Sequence, residues 1–171
     1  MNPISVIVIT LNEEKRISNL LKDLSAQTYR NFEVVVVDSN SDDATLEIAE
    51  TFKDSLPALK THNMGERGVS LGRNTGASLA THNRLLFLDA DVRLRPSFLQ
   101  NAMEKLEETK LEVAGVYMGS KGLPVAHKAG YALFNAGLFT TQFFFPTAVG
   151  ACIFSTKRAH DDLKGFDEEI T

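Results

Sequence analysis

The sequence predicts an α/β fold: an open, mainly parallel sheet flanked by helices. Three runs, Ser5–Ile9, Phe32–Val37 and Arg84–Leu88, are almost continuously apolar. Runs rich in Val, Ile and Leu, without polar alternation, suit strands covered on both faces of a parallel sheet. Between them the apolar spacing becomes helical, and alternating strand and helix implies right-handed crossovers. Each early run also ends in polar residues, at the rim where open α/β sheets hold their ligands.

The elements follow in order. After the first strand, Ile17, Leu20, Leu21 and Leu24 keep the i, i+3, i+4, i+7 spacing of one buried helix face. After the second, the acidic turn Ser41–Asp43 is suited to cap a helix that buries Leu46, Ala49 and Phe52. After the third, a helix opens at Pro96 and turns Phe98, Leu99, Ala102, Met103 and Leu106 to the core. Beyond about Lys110 the pattern changes: Val113–Met118 reads as a strand, Ala126–Phe145 as an aromatic-rich helix, and Gly150–Phe154 as a strand. One domain spanning residues 1–171, in two halves that meet near residue 110, is the economical description.

Composition narrows the function. Hydrophobic residues make up 43% of the 171 and charged residues 23%, a folded rather than disordered balance. A net charge of −4 gives a nucleic-acid partner no support, since phosphate neutralisation needs clustered Lys and Arg. The single cysteine, Cys152, rules out an intrachain disulfide and reads as a small buried hydrophobe in a reducing, cytoplasmic setting. Ile4–Leu11 lacks the flanks of a signal peptide. Tyr131–Phe154 is too often interrupted to span a bilayer, which needs about 20 apolar residues.

The chemistry sits at the strand ends. Thr10 and Asn12 follow the first strand, Asp38 the second, and Asp89 and Asp91 the third. Residues two apart on an extended chain point the same way, so Asp89 and Asp91 can face one ligand with Ala90 turned aside. The plainer alternative is that Asp-Ala-Asp merely ends a strand. Paired carboxylates repel, and hard oxygen ligands with open positions suit Mg²⁺ or Mn²⁺ alongside substrate phosphates. Neither a P-loop nor a Gly-x-Gly-x-x-Gly turn is present, so a phosphate ligand would need a metal rather than a glycine cradle.

Five ordered segments resemble family 2 glycosyltransferases of the GT-A, Rossmann-like fold: Ser5–Glu14, Phe32–Asp43, Gly72–Gly76, Leu86–Asp91 and Gly165–Glu168. The resemblance implies a nucleotide-sugar-binding half over 1–110 and an acceptor-side half over 111–171, incomplete at its C-terminus. It implies that Thr10, Asn12 and Glu13 line the nucleoside pocket and that Asp38 hydrogen-bonds the base. Arg73 would approach the base or phosphates, Asp89 the ribose, and Asp91 would ligate Mn²⁺ or Mg²⁺ at the diphosphate. Gly76 would serve close helix–sheet packing. The expected donor is a nucleotide diphosphate sugar, a UDP-sugar favoured over a GDP-sugar, and the acceptor a glycan or lipid-linked hydroxyl attacked with inversion. The family's usual base is expected beyond Thr171, which leaves Asp167, Glu168 and Glu169 as substitutes or, by the plainer reading, as helix-cap or surface charges. A nucleotide-sugar-binding module without turnover stays open as an alternative. A sugar-phosphate nucleotidyltransferase would want a Gly-rich basic first loop that Thr10–Glu14 lacks.

Other residues carry weaker expectations. His62, His82, His127 and His160 lack metal-ligand spacing and read as solvated or locally bonded. Among Tyr131, Phe134, Phe139 and Phe143–Phe145, some aromatics would form an exposed acceptor or peripheral membrane patch at the membrane's inner face. Lys121, Lys128, Lys157 and Arg158 would aid a phosphorylated lipid acceptor, or simply solubilise. Arg73 and Asn74 have a bland alternative as residues on a helix surface.

Overall fold

The computed structural model describes residues 2–116, 124–141 and 150–169. Its elements run β1 (Ile4–Thr10), α1 (Ile17–Ser25), β2 (Phe32–Asp38), α2 (Thr45–Glu50), β3 (Leu59–Asn63), α3 (Val69–Leu79), β4 (Arg84–Asp89), α4 (Phe98–Thr109), β5 (Ala114–Gly115), α5 (Val125–Thr141), β6 (Cys152–Thr156) and α6 (Lys157–Asp162). One six-stranded sheet has the order β3-β2-β1-β4-β6-β5. β1 lies at its centre, parallel to both β2 and β4, and β6 joins β4 antiparallel.

Alternation along each central strand divides the apolar residues between two layers. Val6, Val8, Val34, Val36, Leu86 and Leu88 face α1 and α4, where Leu20, Leu24, Leu99 and Met103 complete one core. Ile7, Ile9, Val35, Val37, Leu85 and Phe87 face the other way, against Ala77 of α3. This two-sided burial is why the strands read as unbroken apolar runs. The predicted faces of α1 and α4 are the buried ones, with Phe98 and Ala102 partly buried. On α2 the buried residues are Thr45 and Ala49, and Phe52 lies in the turn after the helix.

Helix α3 approaches the sheet through glycine. A Cβ on Gly76 would collide with Ile7 Cγ2, and one on Gly72 would stand 3.0 Å from Ile9 Cγ2. The packing role expected of Gly76 is what the structure shows.

The second half differs from expectation in extent. The strand expected over Val113–Met118 is the two-residue β5, and Tyr117 and Met118 lie outside the described residues. The expected helix is α5, whose predicted end at Phe145 also falls outside them. The expected strand at Gly150–Phe154 is shifted two residues, to β6. Sequence reading missed β3, an edge strand of Leu-Lys-Thr-His-Asn with no apolar run to announce it.

Candidate active site

Register fixes the rim. Parallel pairing sets Thr10 beside Asp38 and Ile9 beside Asp89, so the polar ends of β1, β2 and β4 meet at one edge of the sheet. Beyond it lies a cleft of 280 Å³ lined by Thr10, Leu11, Glu13, Ser39, Val69, Arg73, Asp89 and Asp91 among others. A larger hollow of 460 Å³ lies at the opposite end of the strands, against Asn2, His82, Arg84 and Lys110, away from the convergent carboxylates.

Asp38 is the first departure from expectation. The residue is 1% exposed. Oδ1 accepts from Thr10 Oγ1 at 2.8 Å and from Ser41 Oγ at 2.6 Å, and Oδ2 accepts from the Ser41 amide at 2.8 Å. It therefore ties the loop after β1 to the loop after β2 instead of presenting itself to the cleft. Ser39, which sequence reading passed over, takes the lining position next to it. Its amide donates to the Thr10 carbonyl at 2.8 Å, an ordinary backbone bond that composition cannot foretell.

The same zipper continues outward. The Asn12 amide donates to Ser41 Oγ, Asn12 Oδ1 accepts from the Asp42 amide, and the Glu13 amide donates to Thr45 Oγ1, all within 2.8–2.9 Å. Asn12 holds a left-handed φ of 55°, a conformation Asn tolerates better than most residues. Its side chain is spent on this turn and does not line the cleft.

Acidic groups crowd the opposite wall. Burial pushes the Glu13 carboxyl above the ordinary range; Arg16 opposes this, and Asp91, Asp43 and Asp89 add to it. Burial likewise raises Asp89, against the pull of Arg73 and with the push of Asp91. Arg73 Nη2 donates to Asp89 Oδ1 at 3.1 Å and to the Gly150 carbonyl at 3.0 Å. Its guanidinium also lies over the Phe166 ring, 5.2 Å from the centroid, and its buried Nε has no hydrogen-bond partner among the described residues. Asp91 is the open group: its side chain is 54% exposed, with Arg16 Nη1 at 3.7 Å.

The residues fit a hard divalent cation in one specific sense. Among the described residues, no three His, Cys, Asp or Glu side chains converge as a ready cage. Instead one exposed carboxylate borders a cleft whose acids repel one another, the arrangement that suits an ion sharing its shell with substrate oxygens.

The C-terminal segment is placed by α3. Asn74 Nδ2 donates to the Phe166 carbonyl at 2.9 Å and to Glu168 Oε1 at 2.7 Å, while Asn74 Oδ1 accepts from the Phe166 amide at 2.8 Å. Asn74 is thus not an idle surface residue. Asp167 and Glu168 are exposed and outside the cleft lining, and Asp167 Oδ1 accepts from the Glu169 amide.

Several side expectations change. Lys157 Nζ donates to the Ala80 carbonyl at 2.6 Å, and Arg158, exposed, pairs with Glu112. His160 is half-buried, with the rings of Phe87 and Phe166 each 5.8 Å from its own, a local contact of the kind expected as the alternative to solvation. Cys152 is buried as expected, and burial pushes its thiol up to about 12. Phe134 and Phe139 are exposed on α5, and Lys121 and Phe143–Phe145 lie outside the described residues. Among the described residues no helix is long and apolar enough to cross a membrane.

Residues 5–161 match the family model for glycosyl transferase family 2. The chain is 34% identical over 131 residues to the poly(ribitol-phosphate) beta-N-acetylglucosaminyltransferase TarS of Staphylococcus aureus, covering 72% of this chain and 23% of that protein. A crystal structure of TarS residues 1–349 superposes with a TM-score of 0.78 at 27% identity, over 99% of this chain and 51% of that one. That TarS fragment is also known in complex with UDP and with UDP-GlcNAc. The fold is shared with a mannosyltransferase of Pyrobaculum calidifontis in complex with GDP-Man and Mn²⁺, with a TM-score of 0.82 at 24% identity, over 99% of this chain and 48% of that one. The sheet and its flanking helices are the GT-A fold. The chain spans 16% to 38% of the lengths of curated relatives it matches.

Proposed function

This chain belongs to glycosyl transferase family 2, and we propose that its cleft binds a nucleotide diphosphate sugar for transfer of the sugar, with inversion, to an acceptor hydroxyl. The observation that carries this reading is the gathering of Glu13, Arg73, Asp89 and Asp91 around one cleft beyond the carboxyl ends of β1 and β4.

Each residue then has a part. Thr10 and the Ser39–Ser41 turn wall the nucleoside end, with Asp38 as the buried anchor of that wall. Asp89, oriented by Arg73, faces the ribose. Asp91, beside Glu13, is the carboxylate to hold Mn²⁺ or Mg²⁺, which when bound supplies Lewis-acid stabilisation of the departing diphosphate. UDP is the favoured nucleotide, supported by the UDP complexes of TarS at 26% identity. A carboxylate must take the acceptor's proton as it attacks the anomeric carbon. Asp167 and Glu168 stand outside the cleft wall and take no part in that transfer.

Thermal unfolding with UDP, GDP, CDP or dTDP, each with and without Mn²⁺, tests the reading. A ligand specific for the folded state adds about 2.7 kcal/mol at 100 times its Kd. UDP should stabilise the wild type most in the presence of Mn²⁺, and Asp91→Ala should lose the Mn²⁺-dependent part. A variant that responds as the wild type does refutes the metal assignment.

A further inference from the structure

Asn74 stands one residue from Arg73 on α3, yet among the described residues its side-chain hydrogen bonds go to Phe166 and Glu168 and none to the cleft. Its amide instead grips the backbone of Phe166 from both sides, donating to the carbonyl at 2.9 Å and accepting from the amide at 2.8 Å, and donates to Glu168 as well. A side-chain amide matched to one residue's N–H and C=O copies the pairing of a sheet ladder and leaves that residue little freedom.

Position 165 is shaped to admit this grip. Gly165 has a φ of 75°, and a Cβ there would lie 2.5 Å from Asn74 Oδ1. The Gly165 amide is itself held by the His160 carbonyl at 2.8 Å. The gripped Phe166 then fills the space beneath Arg73: its ring meets Phe87 edge-on at 5.1 Å and lies 5.2 Å from the guanidinium carbon. The Arg73 side chain is 12% exposed and reaches Asp89 Oδ1 at 3.1 Å. On the cleft side the same guanidinium meets Asp89, which lines the cleft.

We propose that Asn74 is a positioning residue for the nucleotide cleft. It acts through Phe166 to hold Arg73 against Asp89, and so tunes donor affinity without touching the donor. This inference rests on the donor-binding reading of the cleft. The chain of contact is physical throughout: hydrogen bonds from Asn74 to Phe166, cation–π packing from Phe166 to Arg73, and a charge-assisted bond from Arg73 to Asp89.

The test is a double-mutant cycle read by calorimetric titration of UDP with Mn²⁺ into wild type, Asn74→Ala, Arg73→Ala and the double variant. Amide hydrogen exchange over residues 163–169 runs beside it. Asn74→Ala should remove protection at Phe166 while the α3 amides keep theirs, and should raise the Kd for UDP about tenfold, as expected when several hydrogen bonds behind one group are lost. With Arg73 already replaced, the Asn74 substitution should change the Kd by less than about twofold, because the two residues act in series. Gly165→Ala, which attacks the grip from its other side, should reproduce the affinity loss of Asn74→Ala.

Retained protection at Phe166 in Asn74→Ala overturns the inference. So does a freed segment with an unchanged Kd, or effects of positions 73 and 74 that simply multiply. A purely structural Asn74 would give that multiplicative result. Failure of the wild type to bind UDP is a distinct outcome: it defeats the donor reading first and this inference with it.

Discussion

Glu33 offers the sharpest quantitative test of the fold. It sits on β2 opposite Ser5 of β1, with its side chain only 5% exposed. Oε1 accepts from Ser5 Oγ at 2.6 Å and from the Thr81 amide at 2.5 Å, and Lys60 Nζ lies 2.9 Å from Oε2. Burial alone would raise this carboxyl, but these bonds from Ser5, Thr81 and Lys60 overcome it and hold Glu33 at about 2, against 4.5 when unfolded. A folded value below the unfolded one means stability that is fully present above pH 4.5 and is lost as pH falls towards 2. The size is about 3 kcal/mol, from about 1.4 kcal/mol for each tenfold change in proton affinity. Glu33→Gln keeps the shape, removes the charge and turns one acceptor oxygen into a donor. Urea unfolding of both proteins from pH 7 to pH 2 should show a gap of about 3 kcal/mol at pH 7. That gap should close through the window from 4.5 to about 2. A gap that stays flat across that window, or is absent at pH 7, refutes the assignment.

Asp38 and Asp91 should separate cleanly without any ligand. Asp38→Ala strips the partners of Thr10 and Ser41 and should cost roughly 2–3 kcal/mol of unfolding free energy. Asp91→Ala, at an exposed position, should stay within about 0.5 kcal/mol by the same measurement, and the reverse ranking would contradict the roles given to the two acids. Burial holds the Cys152 thiol up to about 12, so an alkylating reagent at pH 8 should modify it only as fast as the protein unfolds. Labelling of the native protein at the rate of a free thiol would show the strand to be open.

What the sequence disclosed, and what it hid, follows from how each element is buried. Strands covered on both faces announce themselves, which is why Val34–Val37 and Leu85–Leu88 could be placed before any coordinates. β3 pairs on one side only, and its Lys60, His62 and Asn63 face solvent, so no apolar pattern marks it. The rim position of Asp38 was legible from strand spacing, but the direction of its carboxylate was not. Direction is decided by Thr10 and Ser41, hydrogen-bond donors from two loops that only the fold brings together. Arg73 was legible as a cleft residue, whereas its support by Phe166, 93 residues later, depends on a turn at Gly165 that carries no periodic signal. Lys157 and Arg158 show the same limit: their partners, the carbonyl of Ala80 and the carboxylate of Glu112, lie 77 and 46 residues away in the chain.

The two glycines of α3 turn the helix–sheet spacing into a shared quantity. With the methyl of Ile7 already occupying the space a side chain at 76 would need, neither position can change volume alone. Enlarging one requires shaving the other, so substitutions at 7 and 76 should be tolerated as a matched pair and penalised singly. Arg73 and Asn74 lie between Gly72 and Gly76 on the same helix, so lifting it by a methyl's width would move both together. A site that looks polar thus has its tolerances set by an aliphatic gap one layer below.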